Sequence, residues 1–445
     1  MNLRQFREIT RYPSAIIGLI IIIFLVGLSI YTVIALPYEE AVNKWRGGDR
    51  VWQDNPRGVP PTWVNLFRSK KLPESIIFDT ATDETIQKQV TPLDENLTDI
   101  VYTFQFDYTA DEFPQEIILF FTSTFEKKAP YISLLWKTPD GREINIGDFS
   151  IERAYTRRIS QDDKLAKELG GPPEVMLFAD PNSEERIPLK GTYTLEIAGL
   201  AFEPESTFNV KSIIYGKVFG LAGTDHLRRD LVLGLLWGTP VALAFGLLAA
   251  VITSLLTMFI AATGTWFGGW VDSLIQRITE INMMLPVLPI LIMVGVFYSR
   301  SLWVILGVVI LLGIFSASIK SYRAMFMQER EAGYIQAAKA YGAGDVRIIF
   351  RYLVPRIFPV LIPSLVVLIP SYVFLEASLA VLGLGDPIMP TWGKIINDAR
   401  VNGALLKGQY YWVLEPSFML MLTGFSFAML GFALDRIFNP RLRGM

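Results

Sequence analysis

The sequence predicts an α-helical membrane protein of six spans that carries an inserted, β-rich, sandwich-like extracytoplasmic domain. Apolar residues make up 51% of the 445 positions and charged residues only 19%, whereas a soluble domain is usually near a quarter charged. Long apolar runs occur at the N-terminus and again beyond residue 230. The stretch between them is polar and holds several short alternating segments.

The remaining composition excludes several chemistries. The formal net charge is -2, so there is no bulk electrostatic case for nucleic acid. The chain has no cysteine, which rules out disulfides, thiol catalysis and zinc–thiolate sites. His226 is the only histidine and reads as a surface residue. No EF-hand, HExxH, P-loop or GxSxG pattern occurs. A P-loop needs a lysine to reach the phosphates, and the nearest glycine-rich spot, Gly342-Ala-Gly344, lacks it.

The first element follows from Arg4, Arg7 and Arg11, which precede an apolar run from Ser14 to Leu36. At about 23 residues the run is long enough to span a bilayer, and too long for a signal-peptide core. Its basic flank places the N-terminus in the cytoplasm. Residues 37–215 then form the inserted domain. Tyr102, Phe104, Phe106 and Tyr108 alternate with Thr103, Gln105 and Asp107, the period of a half-buried strand. Further strands are predicted over Ile100–Tyr108, Glu116–Phe125 and Thr192–Ala198. A hairpin is predicted from Tyr131 to Ile146, turning at Pro139-Asp140-Gly141. Ile159–Leu169 reads as a short polar helix and Lys44–Pro61 as an irregular lead-in.

Residues 216–445 supply five further spans, expected over Leu236–Ala262, Ile281–Tyr298, Leu302–Ile319, Val360–Leu382 and Tyr411–Ala433. Pro286, Pro289, Pro363 and Pro370 interrupt two of them, a break that membrane helices tolerate when neighbours re-satisfy the freed backbone. The loop 323–356 and the C-terminal tail with Arg436, Arg441 and Arg443 are basic, so both are expected in the cytoplasm. Tryptophans 237, 266, 270, 303 and 392 lie near span ends and suggest an interfacial belt. Arg277 can pair with either Asp272 or Glu280 at the same interface.

The loop carries the informative pattern. A helix through Tyr334–Tyr341 is kept narrow by Ala337, Ala338 and Ala340. Gly342 and Gly344 break it, Asp345 can cap a second helix, and Pro355 punctuates that helix before the fifth span. The pattern describes either a docking element that fits a groove on another protein or an ordinary basic connector. Within the fifth span, Glu376 is costly at membrane depth. With Ser378 it marks either a transport pathway or a helix–helix hydrogen bond.

Gln336-Ala337-Ala338, Gly342 and Leu353-Val354-Pro355 resemble the EAA loop of ABC importer permeases, with Gln336 where the family has Glu and Val354 where it has Leu. Gly223-Thr224-Asp225, Arg229-Asp230 and Leu236-Trp237-Gly238-Thr239-Pro240 resemble a segment of oligopeptide and dipeptide permeases in which Arg228 is usually Gly. Phe267-Gly268-Gly269-Trp270-Val271-Asp272, Leu375-Glu376-Ala377-Ser378-Leu379, Leu382-Gly383-Leu384-Gly385, Pro390-Thr391-Trp392-Gly393, Asp435 and Asn439-Pro440-Arg441 are similar to the same family's remaining motifs. The resemblance is loose over residues 1–36 and close over 217–445, and it points to the C-type subunit of the oligopeptide/dipeptide/nickel class.

That resemblance implies a six-span type I ABC permease core with no ATPase site, catalytic residue, metal or cofactor of its own. It implies a second related permease in a heterodimer, two cytoplasmic ATP-binding subunits, an extracytoplasmic substrate-binding protein and a prokaryotic inner membrane. Gln336, Ala337, Ala338, Gly342, Asp345 and Pro355 would then form the ATPase-coupling loop. Peptides are the default cargo, with nickel or another small solute as alternatives. A membrane-anchored enzyme with its site in the outer domain, and a permease-like sensory subunit, are the rival readings.

Overall fold

The computed structural model describes residues 12–83, 86–183 and 185–438, and the chain divides into two compact units, Gly47–Leu231 and Met1–Arg46 with Val232–Met445. Arg4, Arg7, Arg11, Asn439, Pro440, Arg441 and Arg443 lie outside the described residues.

Among the described residues, the Gly47–Leu231 unit contains nine antiparallel strands. They are β1 (Ile76–Asp79), β2 (Gln87–Asp94), β3 (Leu97–Tyr108), β4 (Glu116–Thr124), β5 (Tyr131–Lys137), β6 (Glu143–Ser150), β7 (Ala154–Arg158), β8 (Gly191–Ala201) and β9 (Thr207–Tyr215). They form one sheet of order β1-β9-β4-β7 and another of order β2-β3-β8-β5-β6. Tyr102, Phe104, Phe106 and Tyr108 of β3 are all buried, and they share a core with Ile117, Leu119 and Phe121 of β4 and Phe208, Val210 and Ile214 of β9. One core between two sheets is a sandwich. Its centre is aromatic: Trp136 meets Phe106 at 5.8 Å and Phe178 at 5.2 Å, both edge-on, a geometry favoured by the ring quadrupole. The Trp136 indole donates to the Leu177 carbonyl at 3.1 Å, so the one polar atom of this ring is satisfied.

The hairpin forms as the Pro-Asp-Gly turn dictates: β5 pairs with β6, and Gly141 has φ 87, a region that costs glycine little. The segment Ile159–Leu169 divides into a single 3-10 turn over Ile159–Gln161 and a helix over Asp163–Leu169, because Asp162 caps the helix through the Lys164 and Leu165 amides. β2 is an edge strand in which every residue is exposed, and Pro92 lies in it. The other face of the first sheet is covered as well. Ile118, Ile213 and Tyr215 are buried there, and the Tyr215 hydroxyl donates to the Gln53 carbonyl at 2.6 Å. Burial pushes this phenol up to about 12. On the rim, the amides of Glu126, Lys127 and Lys128 donate to the Glu203 carboxylate and hold it below the usual carboxylate range.

The other unit is helical: α1 (Pro13–Ala35), α2 (Tyr38–Val51, whose end passes into the β unit), α3 (Leu231–Phe267), α4 (Gly269–Met284), α5 (Val287–Phe297), α6 (Leu302–Ile314), α7 (Ser318–Arg330), α8 (Gly333–Ala340), α9 (Asp345–Ile348), α10 (Val354–Leu379), α11 (Trp392–Val401) and α12 (Tyr411–Phe438). Four of its helical stretches, α1, α3, 345–384 and α12, are long and apolar enough to cross a membrane, and up to six when each bent pair counts as one span. The bent pairs are α4 with α5, at 77°, and α6 with α7, at 46°. Pro286, the N-cap of α5, makes the first break, since proline cannot donate to the helix it enters. Ile281–Met284, expected inside the third span, therefore belong to the preceding helix. The fourth expected span likewise ends at Ile314.

Motifs that are distant in the sequence meet here. A Cβ on Gly238 would sit 2.3 Å from the Trp392 ring, and the Trp392 indole donates to the Leu235 carbonyl at 3.0 Å. A Cβ on Gly393 would sit 2.7 Å from Ala377. Small residues of this kind are what allow membrane helices to approach closely. Trp270 and Trp303 are exposed, at 76% and 58%, whereas Trp237, Trp266 and Trp392, expected in the same belt, are buried. α11, with Trp392 and Ile395 on its buried face, was not anticipated.

Residues 47–231 expressed alone are expected to fold cooperatively, because their core is self-contained. Trp136→Ala should lower the unfolding free energy by ~3–5 kcal/mol in a denaturant titration. An isolated fragment without a cooperative transition would contradict the two-unit organisation.

Candidate functional site

The loop 323–356 runs from the second half of α7 through α8, a tight turn, α9 and a π turn into the start of α10. Gly342 has φ 78 and donates to the Lys339 carbonyl, so the break falls where glycine permits the left-handed region. α8 turns Ile335 and Ala338 into the protein, while Gln336, Ala337, Ala340 and Tyr341 are exposed, Tyr341 at 92%. Ala338 was expected to lie in a partner's groove with the other alanines; it instead packs inward. The narrow outer surface is made by Ala337 and Ala340.

Asp345 was expected to cap the second helix. Gly344 occupies the N-cap without any side-chain cap bond, and Asp345 is the first residue of α9. Its carboxylate accepts a hydrogen bond from the Trp266 indole at 3.0 Å. A charge-assisted bond to a buried donor takes the place of a local amide here, and such bonds contribute ~1.5–3 kcal/mol. Lys339 lies over the same indole at 4.4 Å. Trp266, at the end of α3, thus joins α8 to α9 from below the turn. Pro355 also departs from expectation: the chain passes from α9 through a π turn, Ile349–Leu353, into α10 without ending. Proline is tolerated in a helix's first turn, and here it stands in the first turn of α10.

Behind the loop lies one continuous core. It contains Met258, Ala262 and Trp266 of α3, Ile319 and Phe326 of α7, Ile335 of α8, Ile348 of α9, and Leu353, Ile357 and Leu361 of the helical run that follows. Two arginines of the basic cluster are committed to holding it. Arg323 makes a bidentate pair with Asp272, with Nε 2.7 Å from Oδ1, and Arg330 donates to the Thr265 carbonyl at 2.9 Å near the end of α3. Arg277 pairs with Glu280 at 3.7 Å; Asp272, its other expected partner, is taken by Arg323. These clamp residues escaped sequence reasoning because each pair is far apart along the chain. The sole signal was Trp266 beside Gly268-Gly269.

Glu376 and Ser378 diverge. Glu376 is 4% exposed and lies beside Thr391 and Asp386, with one carboxylate oxygen lacking a hydrogen-bond partner among the described residues. Ser378 is exposed and bonds back to the Phe374 carbonyl at 2.7 Å.

The chain belongs to the binding-protein-dependent transport system inner membrane components. Residues 242–444 match that family. Among its relatives are a dipeptide transport system permease of Bacillus subtilis, 30% identical over 50% of this chain and 68% of its own length, and a glutathione transport system permease of Pectobacterium atrosepticum, 28% identical over 50% of this chain and 72% of its own. A putative peptide transport system permease of Brucella suis is 31% identical over 50% of this chain and 74% of its own length. The β unit lies outside the family match.

Trp266→Phe keeps the ring and deletes the N–H donor. Amide hydrogen exchange in residues 342–348 should quicken roughly tenfold, as expected for loss of one charge-assisted bond. Unchanged exchange would show that the indole does not hold the loop.

Proposed function

We propose that this chain is the transmembrane permease subunit of an ATP-driven importer for oligopeptides or dipeptides, in which the loop 323–356 couples ATPase motion to alternating access. The observation that carries the reading is the outer face of α8. Gln336, Ala337 and Ala340 are exposed on a helix held firmly by Ile335, Ala338 and Trp266. A rigid, narrow, exposed helix suits insertion into a groove on an ATP-binding subunit, and the core behind it joins α3, α7 and α10, so displacement of α8 would be passed to those helices. Alternating access needs such a two-state element, because a permease of this kind has no energy source of its own.

The remaining assignments belong to the same proposal. Two ATP-binding subunits, a related permease partner and a substrate-binding protein complete the importer. On this proposal the chain has six spans, with both termini and the loop in the cytoplasm and the β unit outside. The names of the relatives, dipeptide, peptide and glutathione permeases, favour a peptide cargo.

The test is Ala337→Arg in the complex purified from native membranes and reconstituted in vesicles. Ala337 is exposed, so the fold should survive, while an arginine would not enter a groove fitted to alanine. Uptake should fall at least tenfold with the complex still hydrolysing ATP. Normal uptake would remove the loop from the coupling path. Reporter tags at Gly344 and after Met445 should read cytoplasmic and a tag at Gly141 external; the opposite result would overturn the orientation.

A further inference from the structure

We infer that the β unit carries a binding site for a single carboxylate group, in the crevice lined by Arg57, Gln115, Glu116, Arg158, Gln161 and Arg228. The crevice has a volume of about 280 Å³, room for an amino-acid-sized group but not for an oligopeptide.

Arg228 is the first observation. Among the described residues it is the sole non-glycine with a left-handed backbone, φ 62. A side chain there is strained, and strain of this kind persists where the surroundings over-determine it, commonly at functional sites. The surroundings are visible. The guanidinium donates to the Asn55 carbonyl and to Glu116, each at 2.8 Å, and lies over the Tyr215 ring at 4.2 Å. Its side chain is 7% exposed. Those two bonds leave further N–H donors on a guanidinium that has five, and the group is fixed in place before any ligand arrives.

The rest of the wall is equally fixed. Gln115 accepts from the Arg57 amide at 3.0 Å and donates to the Arg57 carbonyl at 2.7 Å, which holds the backbone of Arg57 against β4. Gln161 donates to the second oxygen of Glu116 at 3.3 Å. With its two oxygens engaged by Arg228 and Gln161, Glu116 is poorly placed to hold a cation.

Charge then selects the ligand. Arg57 is matched by Asp49 at 2.8 Å and Arg228 by Glu116. Arg158, at the end of β7, forms no ion pair among the described residues and lines the same crevice. One uncompensated cation beside a carboxylate favours a monoanion over a doubly charged phosphate. Planar guanidinium forks match the planar carboxylate. Two sources present that group: the end of a peptide chain, and the side chain of an acidic residue on another protein.

The experiment uses the full-length chain in phosphatidylcholine nanodiscs, with ligand contact read by saturation-transfer NMR. N-acetylglycine is the chain-end probe, N-acetylglutamate diamide the side-chain probe, N-acetylglycinamide the neutral control, and inorganic phosphate the competitor. At least one carboxylate probe should bind saturably, and the tighter of the two identifies the source. Arg158→Gln, an exposed change at a strand end, should weaken that binding at least tenfold. Arg228→Gly, which relieves the backbone and removes the guanidinium, should do the same. No saturable binding, equal binding of the neutral amide, tighter binding of phosphate, or full binding by Arg158→Gln would each overturn the assignment.

Discussion

The indole of Trp266 is the interaction on which the loop 323–356 depends. It is buried at the end of a long apolar helix, and its only polar atom points at Asp345 across 79 residues of chain. A short helix such as α8, with eight residues, would be marginal alone, because nucleation fixes several residues for few hydrogen bonds. Its persistence rests on tertiary support: Ile335 and Ala338 beneath it, the ring of Trp266 under Lys339, and the bond to Asp345 that closes the turn. Arg330 then secures the end of α7 to the end of α3, and Arg323 ties α7 to the first turn of α4. The loop is therefore part of the helical core in packing terms, although its outer surface is open.

Packing among the long helices obeys a different rule from packing in the β unit. The sandwich is held by large rings driven from water into a common core, with Trp136, Phe106, Phe178 and Tyr193 in mutual contact. Between spanning helices that drive is weak, and close approach takes its place. Gly238 against Trp392 and Gly393 against Ala377 are such approaches. Pro240 removes the helical donor of the Leu236 carbonyl; the Thr32 hydroxyl of α1 stands 3.5 Å from that carbonyl but donates to Leu28 of its own helix at 2.8 Å.

Legibility followed the range of the interaction. β3 and the β5–β6 hairpin could be read because alternation and a Pro-Asp-Gly turn are local signals. β2 and β7 could not, since strands without a fully buried face carry little alternation. The helix–glycine–helix shape of the loop was legible from Gly342. The partners of Asp345 and Asp272 were not: an aspartate at a helix start reads as a cap, and nothing local announces an indole 79 residues away or an arginine 51 residues away. Arg228 was visible as a departure from a glycine position, but its meaning required the backbone angle.

The π turn at Ile349–Leu353 sets the rotational phase between α9 and α10. A π turn accommodates one residue more than an α-helical turn, and each residue of an α-helix advances the chain by about 100° around its axis. The face that α9 presents is thus tied to the buried face of α10, with that extra residue as the key, and α8 follows through the turn at Gly342 and the Trp266–Asp345 bond. Shortening the segment by a single residue would leave every helix intact and yet turn the outer alanines of α8 away from the direction they now face. Length in this stretch is constrained more tightly than composition, and a change of residue there is the milder perturbation.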